Sequence, residues 1–202
     1  VIALPAGYRW AIPEDAAAMA ELVNMAGEGM PHYLWRQSAE LGESPWDVGR
    51  RRARRESGSY SYRNTVVRED HGKAVAILIG YPLPDVPAPV DWNALSPLFV
   101  PLQELEDRAS GTWYVNILAT YPGNRGKGYG AALLGVADHL AAATQRRGLS
   151  LIVGDANTGA RRLYERHGFR ELETRPMIKD DWHNEGHNWV LLVKGTDGSS
   201  NP

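Results

Sequence analysis

Two hydrophobic periods alternate along the 202-residue chain, and the switches between them predict its elements. A strand-like run at Tyr8–Ile12 gives way to Pro13, Glu14 and Asp15, a helix-start signal. Met19, Leu22, Val23 and Ala26 then follow at helical spacing, with Gly27 as the stop. "MPHYLWRQSAELGESPWDVGRRRARRES" predicts further helix in two pieces, broken at Gly42 to Pro45. "YSYRNTVVRED" and "KAVAILIGY" are rich in β-branched and aromatic residues and predict a hairpin turning at Asp70, His71 and Gly72. Six of the 13 prolines fall between Pro82 and Pro101, which marks residues 82–110 as an irregular insertion carrying one short helix near Leu102 to Arg108.

The second half is more regular. "TWYVNILATYP" predicts a strand, Leu133, Val136, Ala137 and Leu140 the apolar stripe of a helix, and "LSLIVGD" a strand buried on both faces. Asn157 can cap a helix carrying Leu163 and Tyr164 and ending at Gly168. "FRELETRPMI" and "NWVLLVK" predict two more strands, and "GTDGSSNP", residues 195–202, a disordered tail. The predicted order is β-α-α-β-β-insertion-β-α-β-α-β-β, an α/β chain read as a single domain over residues 1–194.

Composition narrows the chemistry. The absence of cysteine removes disulfides, thiolate zinc sites and cysteine nucleophiles. A net charge of −2 does not suggest nucleic-acid binding, and no run of about 18 apolar residues could span a bilayer, so a cytoplasmic protein without membrane partners is expected. The arginines at 50, 51, 52, 54 and 55 read as a solvated or salt-bridged helix face more readily than as an anion-binding patch.

The exception to this ordinary pattern is "YPGNRGKGYGAALL", Tyr121 to Leu134, with glycine at 123, 126, 128 and 130, running straight into a helix. Lys127 is followed by Gly128 rather than Ser or Thr, so it is no Walker loop; as a dinucleotide fingerprint it matches weakly, and the repeated βαβ units are missing. Amides at a helix start, freed by glycine for close approach, still make a nest for a diphosphate, with Arg125 and Lys127 as added cations.

These residues resemble the GCN5-related N-acetyltransferases (GNAT). Arg125, Gly128 and Gly130 stand on the R/Q-x-x-G-x-G/A signature, with Pro122 ahead of it. "NTGARRLYERHGF" matches N-x-x-A-x-x-L-Y-x-x-x-G-F at Asn157, Ala160, Leu163, Tyr164, Gly168 and Phe169. The resemblance is close from Thr112 to Phe169 and loose in the flanking elements. It implies a mixed, largely antiparallel sheet of six or seven strands with about four flanking helices, and strands four and five splayed. It also implies acetyl-coenzyme A as co-substrate and no metal. The pantetheine arm would bond the backbone near Leu118 and Thr120, and the loop of Arg125, Gly126, Lys127, Gly128, Tyr129 and Gly130 would wrap the pyrophosphate, with Asn157 and Tyr164 beside the coenzyme.

Tyr164 takes the position whose phenol serves the departing sulfur. Many relatives carry a base on strand four, where this chain has only Asn116. Glu28, His32, Asp155, His187 or a water relay remain open for that role, with His32 singled out. The expected acceptor residues are Met30, His32, Tyr33, Trp35, Tyr62 and Asn116, with Tyr60 nearby. A small or peptide amine is the expected partner, and a homodimer is compatible with it. A non-catalytic coenzyme sensor is the alternative.

Overall fold

The structure is a computed structural model and describes residues 2–195. The strands β1 (Tyr8–Trp10), β2 (Thr65–Asp70), β3 (Lys73–Pro82), β4 (Trp113–Thr120), β5 (Gly148–Gly154), β6 (Arg170–Pro176) and β7 (Asn188–Gly195) follow the sheet order β1-β2-β3-β4-β5-β7-β6. The chain divides into two compact units, Val1–Gly80 with Asn116–Val136, and Tyr81–Val115 with Ala137–Pro202.

In the first unit β1, β2 and β3 pair antiparallel. His71 and Gly72 turn the β2–β3 hairpin with φ of 49° and 71°, the pair of positive values that a two-residue turn needs to match strand twist. The first hairpin strand begins later than predicted. Residues 62–64 leave the extended conformation because the Ser61 hydroxyl accepts the Arg63 amide and donates to the Arg55 carbonyl, so Tyr62 lies in a 3-10 turn, Tyr62–Asn64, and not on the hairpin.

Three helices precede β2: α1 (Ala16–Ala26), α2 (Met30–Gln37) and α3 (Pro45–Ala53). Gly29, at φ 86°, separates the first two. The break expected at Gly42 to Pro45 is the start of α3, where Ser44 and Asp47 form a reciprocal capping box. Met19, Leu22 and Val23 of α1, Trp35 of α2 and Val48 of α3 pack into one core with Val67, Ile77 and Ile79 of the sheet. The described residues hold six α-helices, among them the two pieces predicted for the second helical stretch and the short helix predicted for the insertion.

In the second unit β4 and β5 are parallel, and β7 lies antiparallel between β5 and β6. The insertion carries α4 (Val100–Arg108), which packs on β5, β7 and β6 with Leu105 fully buried. Its irregular arm is tied down by the Leu83 amide donating to the Thr112 carbonyl, the Gly111 amide to the Pro84 carbonyl, and Arg146 to the Leu83 carbonyl. The glycine segment leads into α5 (Tyr129–Ala143), and α6 (Thr158–Arg166) precedes β6. Gly195, expected to begin the tail, is the last residue of β7, paired with Gly148; the rest of that tail lies outside the described residues.

Asp15 anchors the entry to α1. Both of its oxygens accept from the Arg9 guanidinium, at 2.7 and 2.9 Å, and one also accepts the Ile12 amide at 2.8 Å, while Arg9 Nε donates to Glu69. Burial pushes the Asp15 carboxyl up, but the Arg9 fork and the Ile12 amide outweigh it and hold it below its ordinary value. A carboxyl depressed in the folded state stabilises above its unfolded pKa, and that contribution disappears as pH falls through the folded value. Asp15→Asn is therefore expected to cost about 2–3 kcal/mol at pH 7, allowing for the partial exposure of Arg9, with the deficit closing below about pH 4. Urea unfolding of both proteins across that range measures it.

Candidate functional site

The loop between β4 and α5 is open. Pro122–Asn124 form a 3-10 turn, Gly126 and Gly128 take φ of 77° and 80°, and the first bond inside α5 runs from the Ala132 amide to the Gly128 carbonyl. The amides of residues 126–131 have no acceptor among the described residues, and Gly126, Lys127 and Gly128 are exposed. A Cβ built on Gly123, Gly126 or Gly128 meets nothing within 4 Å, so the space in front of the loop is empty of protein. Free amide donors at a helix N-terminus, with room before them, suit an anion of diphosphate size.

The side chains around this loop divide their work. Arg125 Nε reaches back to the Thr120 carbonyl at 3.3 Å. Lys127 makes no ion pair among the described residues. Tyr129 points its ring toward β2, where the Arg68 guanidinium lies between the Tyr129 and Tyr8 rings, 5.0 and 5.2 Å from their centroids. Tyr129 therefore offers a ligand its amide and not its ring.

Leu118 and Thr120, expected to pair with an extended ligand, are half-buried on β4. The parallel register with β5 covers only Trp113–Val115 and leaves Asn116–Thr120 outside it. A strand that outruns its partner offers main-chain groups for added-strand pairing.

The expected acceptor residues are less uniform. Met30, Tyr33 and Trp35 are buried on α2, and Trp35, 2% exposed, is walled in by Trp46 and Tyr60, with Gly49 against its ring. Trp35 is thus a core residue of the helical cluster. Tyr62 is buried and its hydroxyl donates to Glu56. His32 and Asn116 are half-buried, the His32 ring lying 4.9 Å from Trp46.

Asp155 and His187, two of the open base candidates, come together through the His187 backbone. The Asp155 carboxylate accepts the His187 amide and both the backbone and side-chain nitrogens of Asn188. Burial acts to raise this carboxyl, yet those bonds bring it below its ordinary value. Such a group stays ionised and closes the β6–β7 connection, which leaves little basicity for proton abstraction.

On α6, the Asn157 side chain caps the helix by accepting the Ala160 amide at 3.2 Å. Gly168, at φ 84°, ends it and lets Phe169 fold back, its ring 5.8 Å from Tyr164. Tyr164 is buried, and burial alone pushes its phenol up to about 12. Its hydroxyl has no hydrogen-bond partner among the described residues. Three groups that periodicity did not single out gather in the same unit. The Tyr81 hydroxyl donates to Glu106 Oε2 at 3.2 Å, and the rings of Tyr81 and Tyr114 lie 5.6 Å apart. Full burial, then the charges of Glu106, Tyr81 and Tyr164, hold the Tyr114 phenol well above its ordinary value. Burial likewise raises the Glu106 carboxyl, against the lowering effect of the Tyr81 bond. The signal for Glu106 was present in the sequence: it falls four residues after Leu102 and three before Ala109, on the apolar stripe of α4.

Among the described residues no group of three His, Cys, Asp or Glu side chains could hold a metal ion, and no helix is long and apolar enough to cross a membrane. Arg50 and Arg51 pair with Asp47 and Glu43, and Arg52 donates to the Ser38 hydroxyl, so two of the five arginines are salt-bridged on the helix face.

The model of the acetyltransferase (GNAT) family matches residues 30–169. Among solved structures, one of an acetyltransferase is 24% identical, with a TM-score of 0.63 over 93% of this chain and 98% of that one. An N-acetyltransferase from Staphylococcus aureus Mu50 is 19% identical, TM-score 0.60, over 92% and 98%. Ard1 from Thermoplasma volcanium is 14% identical, TM-score 0.58, over 94% and 96%. At these identities the likeness is one of fold. Among curated proteins none matches the chain.

The loop geometry generates its own test. Gly128→Ala is expected to cost about 1–2 kcal/mol from its left-handed backbone alone, since the new methyl group meets open space. Gly123→Ala, with equal space and no positive φ, should fall within about 0.5 kcal/mol of the parent in thermal unfolding.

Proposed function

The chain belongs to the acetyltransferase (GNAT) family, and from that premise we propose that it is an N-acetyltransferase, a single domain over residues 1–194, which moves an acetyl group from acetyl-coenzyme A to a primary amine of a small molecule or peptide. The observation that carries the donor half is the set of unpartnered amides at residues 126–131 in front of open space. These amides and the start of the α5 dipole bind the pyrophosphate, Arg125 and Lys127 add positive charge, and the β4 backbone at Leu118 and Thr120 bonds the pantetheine amides. The coenzyme supplies the activated acetyl group as a thioester. No metal takes part in this reading.

The chain's own contribution to the chemistry is positioning and proton management. The Tyr164 hydroxyl, unpartnered among the described residues, donates to the coenzyme sulfur. A phenol at about 12 lies above a thiol of ordinary pKa near 8.5, so complete proton transfer between isolated groups would be uphill. Apolar surroundings raise a thiol in the same sense, and a hydrogen bond that strengthens as charge builds on sulfur lowers the barrier without complete transfer. Because Tyr164 remains protonated through neutral pH, it contributes no acid limb to the rate profile. Met30, His32, Tyr33, Tyr62 and Asn116 remain the proposed surroundings of the acceptor.

Calorimetry tests the donor half: acetyl-coenzyme A is expected to bind more tightly than ATP or NAD, and Gly128→Glu to weaken it by at least about 100-fold by placing a charge in the amide nest. Free-thiol release with an amine panel tests the transfer; binding without release under any amine would leave a coenzyme sensor. Tyr164→Phe is expected to lower turnover about 100-fold with donor affinity within about twofold. Normal turnover in that variant would remove Tyr164 from the mechanism.

A further inference from the structure

Acetyl transfer needs a neutral amine, and strand β4 carries no carboxylate to produce one. The second unit provides one from elsewhere. Glu106 projects from the buried side of α4, the helix inside the proline-rich insertion, toward Tyr81 and Tyr114. Its Oε2 accepts the Tyr81 hydroxyl at 3.2 Å, while Oε1 has no donor among the described residues. The Tyr81 ring in turn lies 5.6 Å from that of Tyr114, on which the charges of both Glu106 and Tyr164 act, so the carboxylate, the two tyrosines and the Tyr164 phenol form one neighbourhood.

We propose that Glu106 is the proton acceptor for the incoming ammonium, supplied by the insertion helix in place of a strand carboxylate. The assignment rests on the amine-acetylating reading above. The ammonium nitrogen gives one proton to Glu106 Oε1, leaving a neutral amine with its lone pair free and a carboxylic acid. That acid returns the proton to water once the acetylated product has left. Tyr81 holds the carboxylate through Oε2 in both states, as a positioning residue.

The surroundings suit the task. Burial lifts the Glu106 carboxyl, Asp107 on the same helix acts in the same direction, and Tyr81 opposes them. Other charges near α4 are committed to each other: Glu104 pairs with Arg175, and Arg108 with Glu173 on β6. Lys194 of β7 pairs with Asp138, and β5 carries no titratable side chain. A carboxyl raised above its solution value is a better match for an ammonium than one at that value.

The test uses the full chain, acetyl-coenzyme A and the best amine found by thiol release, with kcat/KM measured from pH 5 to pH 10. Glu106→Gln, close in shape, is expected to lose about 100-fold or more at pH 7. The deficit should narrow roughly tenfold per pH unit toward the amine's own pKa, as solution supplies the neutral form. Donor affinity by calorimetry should be unchanged. Tyr81→Phe should move the acid limb to higher pH, because its hydrogen bond lowers the carboxyl. A Glu106→Gln profile like the parent's, or a loss equal at every pH, would overturn the assignment while leaving the acetyltransferase reading intact. A parent protein that binds the coenzyme yet acetylates no amine would end both.

Discussion

The first turn of a helix has donors that nothing inside the helix can satisfy, and in this protein α5 leaves them facing open space. A side-chain cap resolves the problem for α3, through Ser44, and for α6, through Asn157, while α1, α2 and α4 start without one. Here two glycines in left-handed conformation remove any side chain that could cap or block, and the Arg125 side chain turns back to the Thr120 carbonyl. The arrangement costs conformational entropy in the free protein, where water supplies the acceptors, and it leaves the amides open to a ligand. The end of β4 obeys the same logic, since it runs five residues beyond its register with β5 and leaves main-chain groups available there.

The second unit handles polarity in the opposite way, by burial. Tyr114 and Tyr164 sit in apolar surroundings that hold both phenols protonated, and Glu106 shares that environment. Protonated phenols can donate hydrogen bonds at any physiological pH, whereas burial makes the carboxyl hold a proton more strongly than it would in water. The proline-rich insertion acquires a physical purpose in this light. Its arm is bonded to Thr112 and Arg146, and its helix lies on β5, β7 and β6, which brings a carboxylate into a cluster that β4 by itself leaves without one.

Much of the architecture was legible because it depends on short-range patterns. The hairpin turn at His71 and Gly72, the stops at Gly27 and Gly168 and the cap at Asn157 are local solutions to backbone hydrogen bonding, and each stands where residue type placed it. Tyr60 and Tyr62 misled the strand assignment. Their aromatic character favours extended chain, but the Ser61 hydroxyl offered the backbone a competing turn. Trp35 reads equally well as a pocket lining or as a core filler, and the packing of α2 against α3 made it the latter.

By itself the sequence determined the order of elements, the glycine loop at the mouth of α5 and the two signatures that carry the family, since all of these are written in residues close together along the chain. Tertiary structure alone decided which ionisable groups meet. Asp155 became a fastener for the β6–β7 connection, and Glu106 joined Tyr81 and Tyr114, because strands and helices distant in sequence were folded against one another. Proton affinity depends on burial and on neighbours within a few ångströms, and neither quantity exists until the chain has closed around the group.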